Sequence, residues 1–179
     1  MLISNTVKVL QTSRLVLRPA QADDEDAFFA IMSDPRAMRH WSTLPHDSID
    51  VTRDWMRPMF DAPGQGFELV ITLNGAVIGK AGGYCLPEVG FILHPDHWGR
   101  GYLTEAMQAI IPALFACSDV AALTADVDPL NPGSLRVLEK LGFRETHRAE
   151  RTFNIGGVWA DSVYLALPRP GLAPPATLP

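Results

Sequence analysis

One dipeptide, Asn74-Gly75, restricts the possible folds of this chain more than any other feature. Both residues tolerate the positive φ that a type I′ turn demands, and they separate two β-rich runs, Phe67 to Leu73 and Ala76 to Tyr84. A hairpin is therefore expected. A further apolar run, Glu88-Val89-Gly90-Phe91-Ile92-Leu93, adds a third strand, so antiparallel strands follow one another here. A chain of 179 residues suffices for one hydrophobic core and is short for two, so a single domain is expected over residues 1–167.

The flanking segments supply helices. Arg14-Leu15-Val16-Leu17-Arg18 alternates as a strand and stops at Pro19. Asp23 to Asp26 places acids where a helix N-terminus favours them, and Ala27, Phe28, Ile31 and Met32 continue at helical spacing to Asp34-Pro35. A loop with Arg39, His40 and Trp41 leads to a second helix over Ser48 to Phe60. Leu103, Met107, Ile110, Ile111, Leu114 and Phe115 form an apolar stripe from 101 to 117, where Pro112 predicts a kink or an early end. Val120 to Val127 reads as a strand. Asn131-Pro132 opens a helix striped by Leu135, Leu138 and Leu141 and stopped by Gly142. Phe143 to Glu150 and Val158 to Leu167 are strands joined across Asn154-Ile155-Gly156-Gly157, and residues 168–179, rich in proline, read as a tail.

Charge and cysteine content narrow the function. With 15 Lys+Arg against 20 Asp+Glu the net charge is −5, which gives no general attraction to nucleic acid and leaves a cationic or small partner. No apolar run reaches membrane-spanning length and no signal segment is visible, so neither a membrane nor secretion is expected. Cys85 and Cys117 are too few for a disulfide framework and lack C-x-x-C spacing, consistent with a reducing, cytoplasmic setting.

The segment His97-Trp98-Gly99-Arg100-Gly101-Tyr102 lies between an apolar strand and an amphipathic helix. Strand, glycine loop and helix start form an anion cradle: glycines admit a phosphate close to the backbone, N–H groups converge, and the helix dipole adds positive potential. The alternative is that Gly99 and Gly101 only make a tight turn. A Rossmann fingerprint fails because Thr104 stands where the third glycine belongs. His94 and His97 have no third ligand nearby, so no metal is expected.

Glu88 to Pro95 running into Trp98-Gly99-Arg100-Gly101-Tyr102-Leu103-Thr104-Glu105-Ala106, then Asn131-Pro132-Gly133-Ser134, then Leu138-Glu139-Lys140-Leu141-Gly142-Phe143, resembles the GCN5-related N-acetyltransferases. Within them it is similar to the branch of the ribosomal-protein N-terminal acetyltransferases. The resemblance spans Arg14 to about Leu167. It implies an α/β (α+β) fold with a mixed, mostly antiparallel sheet of about seven strands, splayed at the cofactor site and flanked by about four helices. The implied cosubstrate is acetyl-CoA, its pyrophosphate on His97, Trp98, Gly99, Arg100, Gly101, Tyr102, Leu103 and Thr104. Its pantetheine would add to free backbone groups of Phe91, Ile92 and Leu93, with Asn131 and Ser134 facing the thioester. The implied activity is acetyl transfer to an amine, by a monomer or homodimer; the other reading is a catalytically silent CoA-binding module.

Two positions depart from the family pattern. Asp96 replaces a Gln or Arg at the loop start, and Leu138 replaces a tyrosine that protonates the leaving thiolate, for which Ser134 is the substitute. An acceptor amine must be neutral to attack, so a base is needed. Glu88 is the first candidate and Glu68 on the hairpin the second. A backbone N–H around Ile92, aimed by a Gly90 bulge, would hold the developing oxyanion. Trp41, Trp55, Phe67 and Tyr84 are open between acceptor pocket and core.

Overall fold

The structure is a computed structural model, described here for residues 9–61 and 67–171. In chain order it contains β1 (Leu10–Gln11), β2 (Leu15–Arg18), α1 (Glu25–Met32), α2 (Pro35–Met38), α3 (Ile49–Asp61), β3 (Phe67–Leu73), β4 (Ala76–Cys85), β5 (Glu88–Leu93), α4 (Tyr102–Cys117), β6 (Ala122–Val127), α5 (Pro132–Lys140), β7 (Arg144–Ile155) and β8 (Val158–Pro168). The strands form one sheet in the order β1-β2-β3-β4-β5-β6-β8-β7, with β5 and β6 its parallel neighbours. The Asn74-Gly75 hairpin is present, with φ of 51° and 83° at those residues.

Alternation sorts the strands between two layers. Leu69, Ala81, Val89, Leu93, Leu123, Ala125, Val127, Val163 and Leu165 face α4 and α5, where Met107, Ile110, Leu114 and Leu138 close the larger core. Val70 and Ile92 face the other way, against Phe28, Ile31 and Met32 of α1, Met38 of α2 and Met56 of α3. The second layer is the three helices α1, α2 and α3 that follow the first strands, and it walls one side of the sheet.

Several expectations are corrected. Helix α4 runs through Pro112 to Cys117 without ending. Pro112 and Gln108 are exposed, so the carbonyl that loses its partner meets water, while Ala106, Met107, Ile110, Leu114 and Phe115 anchor the opposite face. Strand β7 extends five residues beyond the expected Glu150, across a register shift between Ala149 and Phe153 in which Arg151 adopts φ 55°. Pro168, expected in the tail, closes β8 opposite Ala122. β7 starts at Arg144 opposite Ala166, so the missing Pro168 donor faces a side without a neighbouring strand. Residues 172–179 of the tail, and residues 62–66 between α3 and β3, lie outside the described residues.

Candidate active site

Strands β5 and β6 are joined at Glu88 and Thr124, where the Thr124 N–H donates to the Pro87 carbonyl at 2.8 Å. Beyond that bridge no further β5–β6 pairing is present among the described residues, so the two strands part. The phase of the β4–β5 ladder decides which groups face the gap. The His94 N–H donates to Ile78 on the β4 side at 2.8 Å, and antiparallel groups alternate, so Gly90 and Ile92 also turn their N–H and C=O toward β4. Phe91 and Leu93 turn theirs into the gap. The Leu93 carbonyl is taken by the Trp98 indole N–H at 2.8 Å, leaving both groups of Phe91 and the N–H of Leu93 available. This corrects the expectation for Ile92: its backbone is spent on β4, and its buried side chain joins the layer of α1, α2 and α3. Gly90 pairs with Gly82 in regular register, and the irregularity falls between Gly83 and Cys85 instead.

The gap leads to the glycine loop. After the single turn Pro95–His97, Gly99 and Gly101 adopt φ of 72° and 80°, values that side chains other than glycine rarely take, and Gly101 is the N-cap of α4. Among the described residues no side chain caps this sixteen-residue helix, so the first-turn N–H groups of Tyr102, Leu103 and Thr104 are left for a ligand or water. Arg100 is exposed beside them. Tyr102 itself is buried and Leu103 packs on the larger core, so both offer the cradle backbone rather than side chain. Among the described residues His97 has a buried Nδ1 without a partner, and burial, then His94 and Arg100, lower its pKa.

A brace that the sequence did not disclose supports this loop from behind. The Glu105 carboxylate accepts from Thr12 Oγ1 (2.5 Å), Ser13 Oγ (3.0 Å), the Arg14 N–H (2.9 Å) and Arg14 Nε (2.7 Å). Arg14 in turn donates to the Arg100 carbonyl at 3.0 Å and lies 4.4 Å over the Tyr102 ring. Burial works to raise the Glu105 carboxyl, but the bonds from Thr12, Arg14 and Ser13 prevail and bring its pKa to about 2.

The two candidate bases stand in different settings on the face of the sheet covered by α1, α2 and α3. Glu68 is half-buried and ion-paired with buried Lys80, whose ammonium also lies 4.5 Å over Trp55. Glu88 has an exposed side chain crowded by the walls of the gap; this partial desolvation, with the Asp126 charge second, raises its pKa. Asp126 follows Thr124 on the same face of β6; burial raises its pKa, against the opposing influence of the nearby Ser162 and Tyr164 hydroxyls and the charge of His147. It was legible as the one carboxylate in the apolar strand Ala122–Val127. On the far side of the gap, Asn131 caps α5 by accepting the Ser134 N–H at 3.1 Å, which sets half-buried Ser134 in the first turn. Leu138, one turn on, is fully buried. Of the four aromatics, Trp41 and Trp55 pack on the layer of α1, α2 and α3, Phe67 lies in the larger core and Tyr84 is exposed. Among the described residues no group of three His, Cys, Asp or Glu could hold a metal.

A sequence model of the acetyltransferase (GNAT) domain matches residues 14–144. The chain belongs to the GNAT acetyltransferase family. An uncharacterized N-acetyltransferase of Bacillus licheniformis is 28% identical over 149 residues, covering 78% of this chain and 84% of that one. Among solved structures, a Salmonella typhimurium acetyltransferase that modifies the N-terminal serine of a 50S ribosomal subunit protein has a TM-score of 0.80 at 15% identity, over 90% of this chain and 99% of that one. A Vibrio cholerae spermidine N-acetyltransferase in complex with CoA and spermine has a TM-score of 0.74 at 20% identity, over 87% and 96%. The eight-stranded, mostly antiparallel sheet and its four longer helices are thus those of a GNAT enzyme, and the bridge at Glu88 and Thr124 is where this GNAT sheet opens.

Proposed function

We propose that the protein transfers an acetyl group from acetyl-CoA to a primary amine, of a peptide N-terminus or a small molecule, by direct attack within a ternary complex. The observation that carries this reading is the opening between β5 and β6, lined by unpaired backbone groups of Phe91 and Leu93 and continuous with the glycine loop at the start of α4. The residues present fit acetyl-CoA: a strand-like amide chain can add to Phe91 and Leu93, and a pyrophosphate can take the N–H groups from Gly99 to Thr104 with Arg100 beside them. When bound, acetyl-CoA supplies the activated acetyl thioester.

In this reading Glu88 takes the proton of the incoming ammonium, directly or through water. Its raised pKa makes it a stronger proton acceptor than an ordinary glutamate. Glu68 is already committed to Lys80 and serves the wall. The N–H of Phe91 or Leu93 holds the carbonyl oxygen as it gains charge. Ser134 gives a proton to the departing thiolate. The net charge of −5 suits a cationic acceptor, and the free thiols Cys85 and Cys117 suit the cytoplasm, as monomer or homodimer.

A second reading, a CoA-binding module without turnover, is favoured by one observation: Leu138 occupies the position of the family's tyrosine and is sealed in the core. Thiol release from acetyl-CoA with peptide, amino-acid, polyamine and aminoglycoside amines separates the two. Transfer to any of them supports the enzyme; binding without release supports the module. Gly101→Glu is expected to abolish acetyl-CoA binding, because it forces φ 80° on a bulky anion within the cradle. Unchanged affinity rejects the loop assignment.

A further inference from the structure

The short helix α2 and the loop after it touch both lips of the gap. Arg36 of α2 lies 3.6 Å from Asp96, in the turn that leaves β5, and His40 lies 2.7 Å through Nδ1 from Asp128, the residue that leaves β6. The first contact is exposed and weak. The second is largely sheltered, with side-chain exposures of 19% for His40 and 16% for Asp128. Asp128 is also the hub of the turn into α5: its Oδ1 accepts the Leu130 N–H at 2.7 Å, its carbonyl accepts the Asn131 N–H at 2.9 Å, and Asn131 then caps Ser134. A single chain of hydrogen bonds therefore runs from the acceptor-side wall through Asp128 to the first turn of α5.

We propose that His40 is a positioning residue that clasps Asp128 across the mouth of the gap and so fixes the turn that presents Ser134. This deepens the proposed function, on which its catalytic consequence rests, by tying the acceptor wall to the far lip of the site. The Asp128 carboxylate accepts the Nδ1–H of His40 with one oxygen and shapes the Leu130 turn with the other, so loss of the ring frees the carboxylate to swing and the turn to loosen. Asparagine at position 40 can place an amide N–H near the position of Nδ1, whereas alanine cannot.

The test compares wild type with His40→Ala and His40→Asn. By amide hydrogen exchange, His40→Ala is expected to speed exchange at Leu130, Asn131 and Ser134 by about tenfold, and His40→Asn to restore most of the protection. In acetyl transfer, His40→Ala is expected to lower kcat by about tenfold with the KM for acetyl-CoA within about twofold, and His40→Asn to recover it. Exchange at those three amides that is unchanged in His40→Ala overturns the clasp. Faster exchange with unaltered kcat overturns its role in presenting Ser134. Should wild type transfer acetyl to no amine, the proposed function fails, and the exchange measurement alone still decides the clasp.

Discussion

Glu88 and Thr124 are the one residue pair through which β5 and β6 are joined among the described residues. The carboxylate proposed as the base thus sits at the fork itself, with Asp126 next along the same face of β6. Asp126→Asn removes a like charge, so the Glu88 pKa falls and the acid limb of kcat/KM moves to lower pH. A limb that stays in place rejects either the coupling or Glu88 as the base. Glu88 and Asp126 are both raised in the fold, so ionising them costs stability as pH rises through the carboxylate range. Asp126→Asn is therefore expected to raise the Tm at pH 7 and to lose that advantage in acid.

Glu105 has the opposite sign. Its carboxyl is held at about 2, so its contribution is complete above the usual carboxylate range and is lost as pH falls toward that value. Glu105→Gln is expected to cost about 1–2 kcal/mol at pH 7, from weakened bonds to Thr12, Ser13 and Arg14. Denaturant unfolding of both proteins should show the difference shrinking between pH 5 and pH 2 (about the interval separating the two pKa values). A difference independent of pH would mean that charge is not what holds the brace.

Glu68→Gln separates structure from catalysis. Removing one member of the sheltered pair with Lys80 is expected to destabilise by about 3–5 kcal/mol, because the ammonium remains buried beneath Trp55. Activity per folded molecule should stay close to wild type. A pH-dependent collapse of kcat with normal stability would transfer the role of base from Glu88 to Glu68.

Leu138→Tyr would restore the family's residue, yet the side chain is fully buried against the larger core. Overpacking is expected to cost about 1–3 kcal/mol, read as a lower denaturation midpoint, without faster thiol release. Higher kcat with unchanged stability would show that the position opens toward the cofactor.

The parts of this architecture that could be read in advance are those whose determinants lie close together in the chain. Asn74-Gly75 carries its own turn chemistry, and the loop from His97 to Gly101 carries its own glycines. β1 and α2 escaped because two residues and four residues hold no period to detect. The facing of Ile92 escaped for a different reason: ladder phase is set by the β4 partner, which the sequence of β5 does not encode. Arg14 with Glu105 and His40 with Asp128 are separated by 91 and 88 residues, and no spacing rule links charges over such distances. The early end expected at Pro112 is not seen because propensity records the lost donor and not the exposure of that side of the helix.

The opening in the sheet also orders the assembly of the molecule. Strands β2 to β5 pair through the β3–β4 and β4–β5 turns and the long β2–β3 connection, whereas β6, β8 and β7 form a second unit whose backbone link to the first is a single bridge preceded by the crossover helix α4. Hairpin contacts close small loops and form early, while the docking of the second unit must wait for α4 to present Met107, Ile110 and Leu114 to both. Substitutions at those three side chains should therefore slow folding more than equally destabilising changes in the Asn74-Gly75 hairpin, which makes α4 the rate-setting hinge of the chain's own construction.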